Sequence, residues 1–175
     1  MKIVSFDIGE KNFAYCLGRR VENNIEISKV CHHDVMQKKR QTIIESCLAI
    51  SNILLQDSDL LECNTVLIEQ QMRSNVRAQR LSQHVWTFFH MMNKLNNNKI
   101  DIVYVPSHLK TQKFIGKNSL SGKQRKSWAI DKVLGDNPIL ENHENIKHVI
   151  RGMKKQDDVC DTILQMLAYF KPSAR

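Results

Sequence analysis

Glycine and proline are scarce, at six and three among 175 residues. Three prolines leave no Pro-rich linker, and six glycines are too few for the phosphate-cradling loops of an actin-like ATPase, which would also need about twice this length. No apolar run approaches the roughly 18 residues that cross a bilayer, so a helical membrane span is excluded. The five cysteines (Cys16, Cys31, Cys47, Cys63, Cys160) are odd in number and contain no CxxC pair. That excludes a disulfide framework and reads as reduced thiols, mostly buried, in an intracellular protein. Met1 leads almost directly into a strand, which leaves no room for a signal or transit peptide. The expected location is the cytoplasm or nucleus.

Acidic residues are missing from one long stretch. Between Pro106 and Ile130 there is none, while Lys110, Lys113, Lys117, Lys123, Arg125 and Lys126 fall inside it. Over the whole chain, 26 Lys and Arg face 18 Asp and Glu, a net charge of +8. This excess favours an anionic partner, with nucleic acid the leading candidate. Hydrophobic residues at 42% and charged residues at 25% are enough to bury one core, so residues 1–175 are expected to form a single globular domain.

Lys2 to Asp7 reads as a buried strand stopped at Gly9. Phe13 to Leu17 and Ile25 to Val30 read as two more, joined through a polar turn around Glu22-Asn23-Asn24. The period then changes: Ile43, Ile44, Cys47, Leu48, Ser51, Leu54 and Leu55 recur every three or four residues, predicting an amphipathic helix over Lys38–Gln56. Thr65 to Ile68 is a short apolar strand ending at Glu69. A helix from about Asn75 to Leu95 carries Leu81, Val85, Phe88, Met92 and Leu95 as its stripe. Asp101 to Val105 is another strand, followed by a basic stretch from Lys110 to Lys123. Helices follow over about Lys123–Val133 and Asp157–Phe170. The order βββαβαβα with a final helix predicts an α/β domain: a mixed five-stranded sheet, three strands antiparallel and then parallel, flanked by helices.

Acidic residues stand at three places where an element would aim them outward. Asp7 ends an apolar strand, Glu69 ends another, and Asp157, Asp158 and Asp161 open the last helix. Charge at the end of a buried strand is costly unless it is paired or ligates a cation. The helical spacing puts two carboxylates on one face, although acidic residues also open helices simply to cap them and oppose the dipole. Four carboxylates from two strands and a helix suit hard divalent ions, which leave positions for water and phosphate oxygens. Two such ions about 4 Å apart can activate water and stabilise the leaving oxygen of a phosphoryl displacement. Cys31-His32-His33 is a less suitable ligand set, because neighbours along a strand point to opposite faces.

Phe6-Asp7-Ile8-Gly9-Glu10-Lys11-Asn12-Phe13-Ala14-Tyr15 resembles the first motif of the RuvC-like Holliday junction resolvases, nearest to their poxvirus and mitochondrial branch. Ile68-Glu69-Gln70-Gln71 resembles the second motif, and Lys154-Lys155-Gln156-Asp157-Asp158-Val159-Cys160-Asp161 the last. The resemblance runs from Lys2 to about Phe170 with the motifs in order. It implies an RNase H-like fold and a homodimeric, Mg²⁺-dependent endonuclease (Mn²⁺ also serving) that cuts four-way DNA junctions, with two ions in each site. Asp7, Glu69, Asp158 and Asp161 would be the metal ligands, with Asp157 a rival to Asp158. The family's basic residue before the last motif would fall in Gly122–Ser127, at Lys126 first and Lys123 second. A viral member would work in the host-cell cytoplasm. The other readings open are a nuclease of the same fold acting on RNA–DNA hybrids or flaps, and a non-catalytic junction-binding module.

Arg73, Arg77 and Arg80 recur along one side of the second long helix. With Lys110, Lys113, Lys117, Lys123 and Arg125 they are candidate phosphate contacts to branched DNA. Because a four-way junction offers two equivalent strands to cut, a two-fold dimer fits the substrate; the apolar stripe of that helix, stepping by four and three, is one surface for it.

Overall fold

The alternation of apolar residues along the first strand runs through a sheet with helices on both faces. The computed structural model describes residues 1–22, 24–97, 99–116, 120–136, 139–140 and 143–172. The strands are β1 (Lys2–Ile8), β2 (Phe13–Val21), β3 (Asn24–His33), β4 (Thr65–Gln70) and β5 (Asp101–Pro106). They lie in the order β3-β2-β1-β4-β5. β1, β2 and β3 pair antiparallel, while β4 joins β1 and β5 joins β4 in parallel. This is the mixed five-stranded sheet read from the sequence, though β2 and β3 run several residues beyond the expected ends. Of the expected turn, Asn23 lies outside the described residues.

Helices α1 (Ile43–Gln56), α2 (Ser58–Leu61) and α3 (Val76–Asn96) belong with one face. There Val4, Phe6, Ile8, Phe13, Tyr15, Val66 and Ile68 meet Ile50, Leu54, Leu81, Val85 and Phe89. Helices α4 (Leu109–Phe114), α5 (Gly122–Leu134), α6 (Glu144–Arg151) and α7 (Gln156–Phe170) build the other. Its core joins Ile3, Ala14, Cys16, Val30 and Leu67 to Val159, Cys160, Ile163 and Leu164. The two lists take alternate residues of each strand, as the period of two requires.

Three helices escape the sequence pattern. α2 and α4 span four and six residues, too short for a 3.6-residue period to register. α6, of eight residues, has only Lys147 and Ile150 buried. Two expected stripes are also rotated. α1 starts at Ile43 rather than Lys38, because Thr42 and Glu45 form a capping box. It buries Ser46, Ile50 and Leu54, leaving Ile44, Leu48 and Leu55 56–69% exposed. In α3 the buried line is Ala78, Leu81, Ser82, Val85 and Phe89, and Leu95 is 70% exposed.

Candidate active site

Asp7 and Glu69 are brought together by strand alternation and the parallel β1–β4 register. Phe6 pairs with Ile68 across the parallel β1–β4 ladder, so the next residues, Asp7 and Glu69, stand side by side on the opposite face. Both lie at the C-terminal ends of their strands, where the chain turns away. After β1 the turn is tight: the Gly9 N–H donates to Asn12 O at 3.0 Å, and a Cβ on Gly9 would meet that oxygen at 3.1 Å.

α7 crosses this face with its N-terminal turn above the two carboxylates. Its height is pinned by Gln165, whose buried amide donates to Ser5 Oγ at 3.0 Å and to Phe6 O at 3.3 Å. Two places down the strand from Ser5 and one turn back along α7, Asp161 faces the β1–β4 edge. The N-cap of α7 is Lys155, and no side chain caps the helix, so the acidic cluster is not an N-cap device. Asp158 is buried at 9% exposure, and its Oδ2 accepts no hydrogen bond. A buried carboxylate oxygen without a partner is costly, and it is a donor that a bound cation would satisfy.

The lysine standing among these carboxylates is Lys110, not Lys126. Its Nζ lies 3.1 Å from Glu69 Oε1 and 2.9 Å from Asp161 Oδ2, and the residue is only 8% exposed. The basic stretch from Lys110 onward reads as loop in the sequence; its first turns are α4, which aims Lys110 inward. Burial alone would lower this ammonium's pKa, but Glu69, Asp161 and Asp7 outweigh it and hold the proton more tightly than usual. Lys126 pairs with Asp157 at the rim with its side chain more than half exposed. Lys123 is exposed.

The electrostatics of the site follow from burial and repulsion. Asp7 is pushed well above the carboxylate range by desolvation and by Glu69, with Asp161 and Asp158 adding to it against the pull of Lys110. Asp158 and Asp161 are raised for the same first reason. Asp157 goes the other way: burial pushes it up, but Lys126 and its own N–H hold it below the usual range. Asp158 is therefore the strained member of the Asp157–Asp158 pair, and the one whose charge Asp7 feels.

The donor set fits a divalent ion: hard carboxylate oxygens, one of them orphaned and buried. As the side chains lie, no three metal-binding groups among the described residues are close enough to hold an ion, and the Lys110 ammonium is the cation between Glu69 and Asp161.

The remaining sequence candidates scatter. Arg77 is tied to Glu10, its Nε donating to Oε2 at 2.7 Å, and donates to Gln41 O at 3.0 Å, so it braces the β1–β2 turn against α3. Arg73, Arg80 and Arg125 are exposed. Lys113 Nζ donates to Lys171 O at 3.0 Å. Lys117 lies outside the described residues. His32, which the sequence offers only as part of the less suitable Cys31-His32-His33 run, places its Nε2 3.8 Å from Asp158 Oδ2.

Comparison with known proteins bears on the whole chain. The family model described as Poxvirus A22 protein matches residues 1–171. The chain belongs to the poxvirus A22 protein family. It is 27% identical to uncharacterized protein 170L of Invertebrate iridescent virus 6, over 95% of this chain and 87% of that protein. In structure it is similar to the fowlpox virus resolvase solved with its substrate Holliday junction DNA, with a TM-score of 0.70 at 19% identity over 97% of both chains. It is also similar to the yeast mitochondrial Holliday junction resolvase, with a TM-score of 0.66 at 15% identity over 96% of this chain and 78% of the other. The A22-family chain thus has the RNase H-like fold that its motifs implied.

Proposed function

We propose that this chain is a structure-selective endodeoxyribonuclease that resolves four-way DNA junctions by metal-assisted hydrolysis of phosphodiester bonds, with residues 1–175 acting as one nuclease domain. The observation that carries the reading is the cluster of Asp7, Glu69 and Asp161 around Lys110, with Asp158 beside it, on a fold shared with two Holliday junction resolvases. A divalent ion, Mg²⁺ or Mn²⁺ and two per site, would be held by Asp7, Glu69, Asp158 and Asp161. When bound, it supplies Lewis acidity toward the phosphoryl oxygen and lowers the pKa of an attacking water.

The chain's own groups do the rest. Burial first, with like charges adding to it, raises Asp7, Asp158 and Asp161 above the usual carboxylate range, so positive charge in the site favours their ionised, ligating form and cleavage is expected to depend on metal. Lys110, pinned by two carboxylates that the metal would claim, is free to swing its ammonium to the scissile phosphate and hold the charge that builds there. Lys126 and Asp157 form an ion pair at the rim, where Lys126 can meet an adjoining phosphate. Exposed Arg73, Arg80, Lys123 and Arg125 supply sequence-independent contacts to the DNA backbone.

A second copy completes the machine. The exposed Ile44, Leu48 and Leu55 of α1 and Met91 and Leu95 of α3 are large apolar residues on two helices packed against one another. Apolar side chains exposed on that scale suit an interface between two copies. No helix among the described residues is long and apolar enough to cross a membrane. For a chain of a poxvirus family the host-cell cytoplasm is the place of action.

The test is incubation with labelled four-way junction, linear duplex, flap and RNA–DNA hybrid in Mg²⁺, Mn²⁺ or EDTA. Paired, symmetric nicks in the junction alone, absent in EDTA, are expected. Equal cutting of the hybrid would overturn the reading.

A further inference from the structure

Across the sheet, one row of side chains runs from Asp7 through Ala14 to His32. Asp7 pairs with Ala14 in the β1–β2 ladder and Ala14 with His32 in the β2–β3 ladder. Directly opposed residues of antiparallel strands share a face, so all three point toward α7. Ala14 is fully buried and carries only a methyl group, which leaves a gap between its two neighbours. Asp158 descends from α7 toward the His32 side of that gap.

Two atoms there have no partner. His32 Nε2 and Asp158 Oδ2 are both buried and bare of hydrogen bonds, and they face each other at 3.8 Å. That separation is too long for a hydrogen bond and too short for an accident of packing between two polar atoms that water does not reach. Closing it by less than an ångström gives a charge-assisted bond. Among the described residues Lys126 and Lys155 act on Asp158 only through their charge, and the Lys126 ammonium is engaged with Asp157. His33 shows the contrast on the opposite face, where its ring stacks on Tyr15 with centroids 5.9 Å apart.

We infer that His32 is a positioning residue for the metal site: with its proton on Nε2, it donates to Asp158 Oδ2 and turns the other carboxylate oxygen toward the ion. This rests on the reading of Asp158 as a metal ligand. Ligating carboxylates are generally held by a second hydrogen bond, and losing such a partner weakens metal binding by about 10- to 100-fold. The role falls to β3, which contributes none of the four carboxylates of the proposed metal site.

The test measures Mn²⁺ binding to the DNA-free protein, by loss of the free-ion spin-resonance signal, together with metal-free melting temperature. His32→Ala is expected to weaken Mn²⁺ binding about 10- to 100-fold with the metal-free melting temperature little changed. His32→Gln, which keeps an N–H donor, should recover most of the affinity. In an Asp158→Asn background, His32→Ala should add nothing, because the two act through one bond. If Asp158→Asn itself leaves Mn²⁺ binding intact, the assignment of the site is wrong. If Asp158→Asn weakens binding and His32→Ala does not, the site stands and the role of His32 is overturned. A large drop in metal-free melting temperature in His32→Ala, without recovery in His32→Gln, overturns it in favour of packing alone.

Discussion

Replacing Lys110 by methionine separates the two lysines that compete for the active-site role. Methionine keeps the length and apolar stem of lysine and removes the charge. In metal-free protein the change leaves Glu69 and Asp161 facing each other without the ammonium that sits 3.1 and 2.9 Å away. Breaking a buried ion pair from one side costs about 3–5 kcal/mol. The lower end applies because Asp161 is 26% exposed at the rim and water screens part of the repulsion. For a chain of this size ~1 kcal/mol moves the melting temperature by about 2–4 °C, so ~3 kcal/mol lowers it by about 6–12 °C in EDTA. Saturating Mn²⁺ should restore most of that loss, since the ion replaces the missing charge. Cleavage should stay about 10²- to 10³-fold down even with metal bound, because the donor to the developing phosphate charge is gone. Lys126→Met is the control. Its ion pair with Asp157 is exposed and contributes about 0.2–1 kcal/mol, so the melting temperature should move by only a few degrees. Thermal melts of both variants with and without Mn²⁺, followed by cleavage of a labelled junction, decide the matter. If Lys110→Met melts like the unaltered protein in EDTA and cuts at the same rate, the reasoning is refuted.

Asp7→Asn should abolish cleavage while junction binding persists in a gel-shift assay. The same variant should melt above the unaltered protein in EDTA at neutral pH, because a carboxylate with a raised folded-state pKa destabilises the fold once it is forced to ionise. The sign makes the gap smallest below the ordinary carboxylate range, about pH 4, where both states are protonated, and larger as pH rises; a gap that shrinks instead contradicts the assignment. Leu48→Glu should convert a dimer to a monomer by light scattering without lowering the monomer's stability, since Leu48 is 61% exposed. The monomer should nick junctions singly; a mass of two chains after the change would place the interface elsewhere.

Much of the site is legible in local pattern. Asp7 and Glu69 each follow a run of β-type residues, and a period of two puts each on the face opposite its apolar neighbour, Phe6 or Ile68. Asp158 and Asp161 share a face by helical spacing. Lys110 was legible as a residue but not as a position: it sits in a six-residue helix within a basic stretch, where charge composition points to surface. The stripes of α1 and α3 are legible in part: Leu54, Leu81 and Val85 are buried as expected, but apolar side chains lie on two sides of each helix and only the sheet decides which side is covered.

By itself, then, the sequence determined the succession of strands and helices along the chain and the acidic residues that stand near the ends of β1 and β4 and at the start of α7, because these depend on short-range periodicity and on the cost of placing charge at the end of a buried strand. Only the tertiary structure decided that Lys110 turns into that charge, that Arg77 is spent on Glu10, and that His32 stands against Asp158. Each of those depends on cross-strand register or on the rotation of a helix over the sheet. Packing between distant segments sets both, and no local stretch of sequence records it.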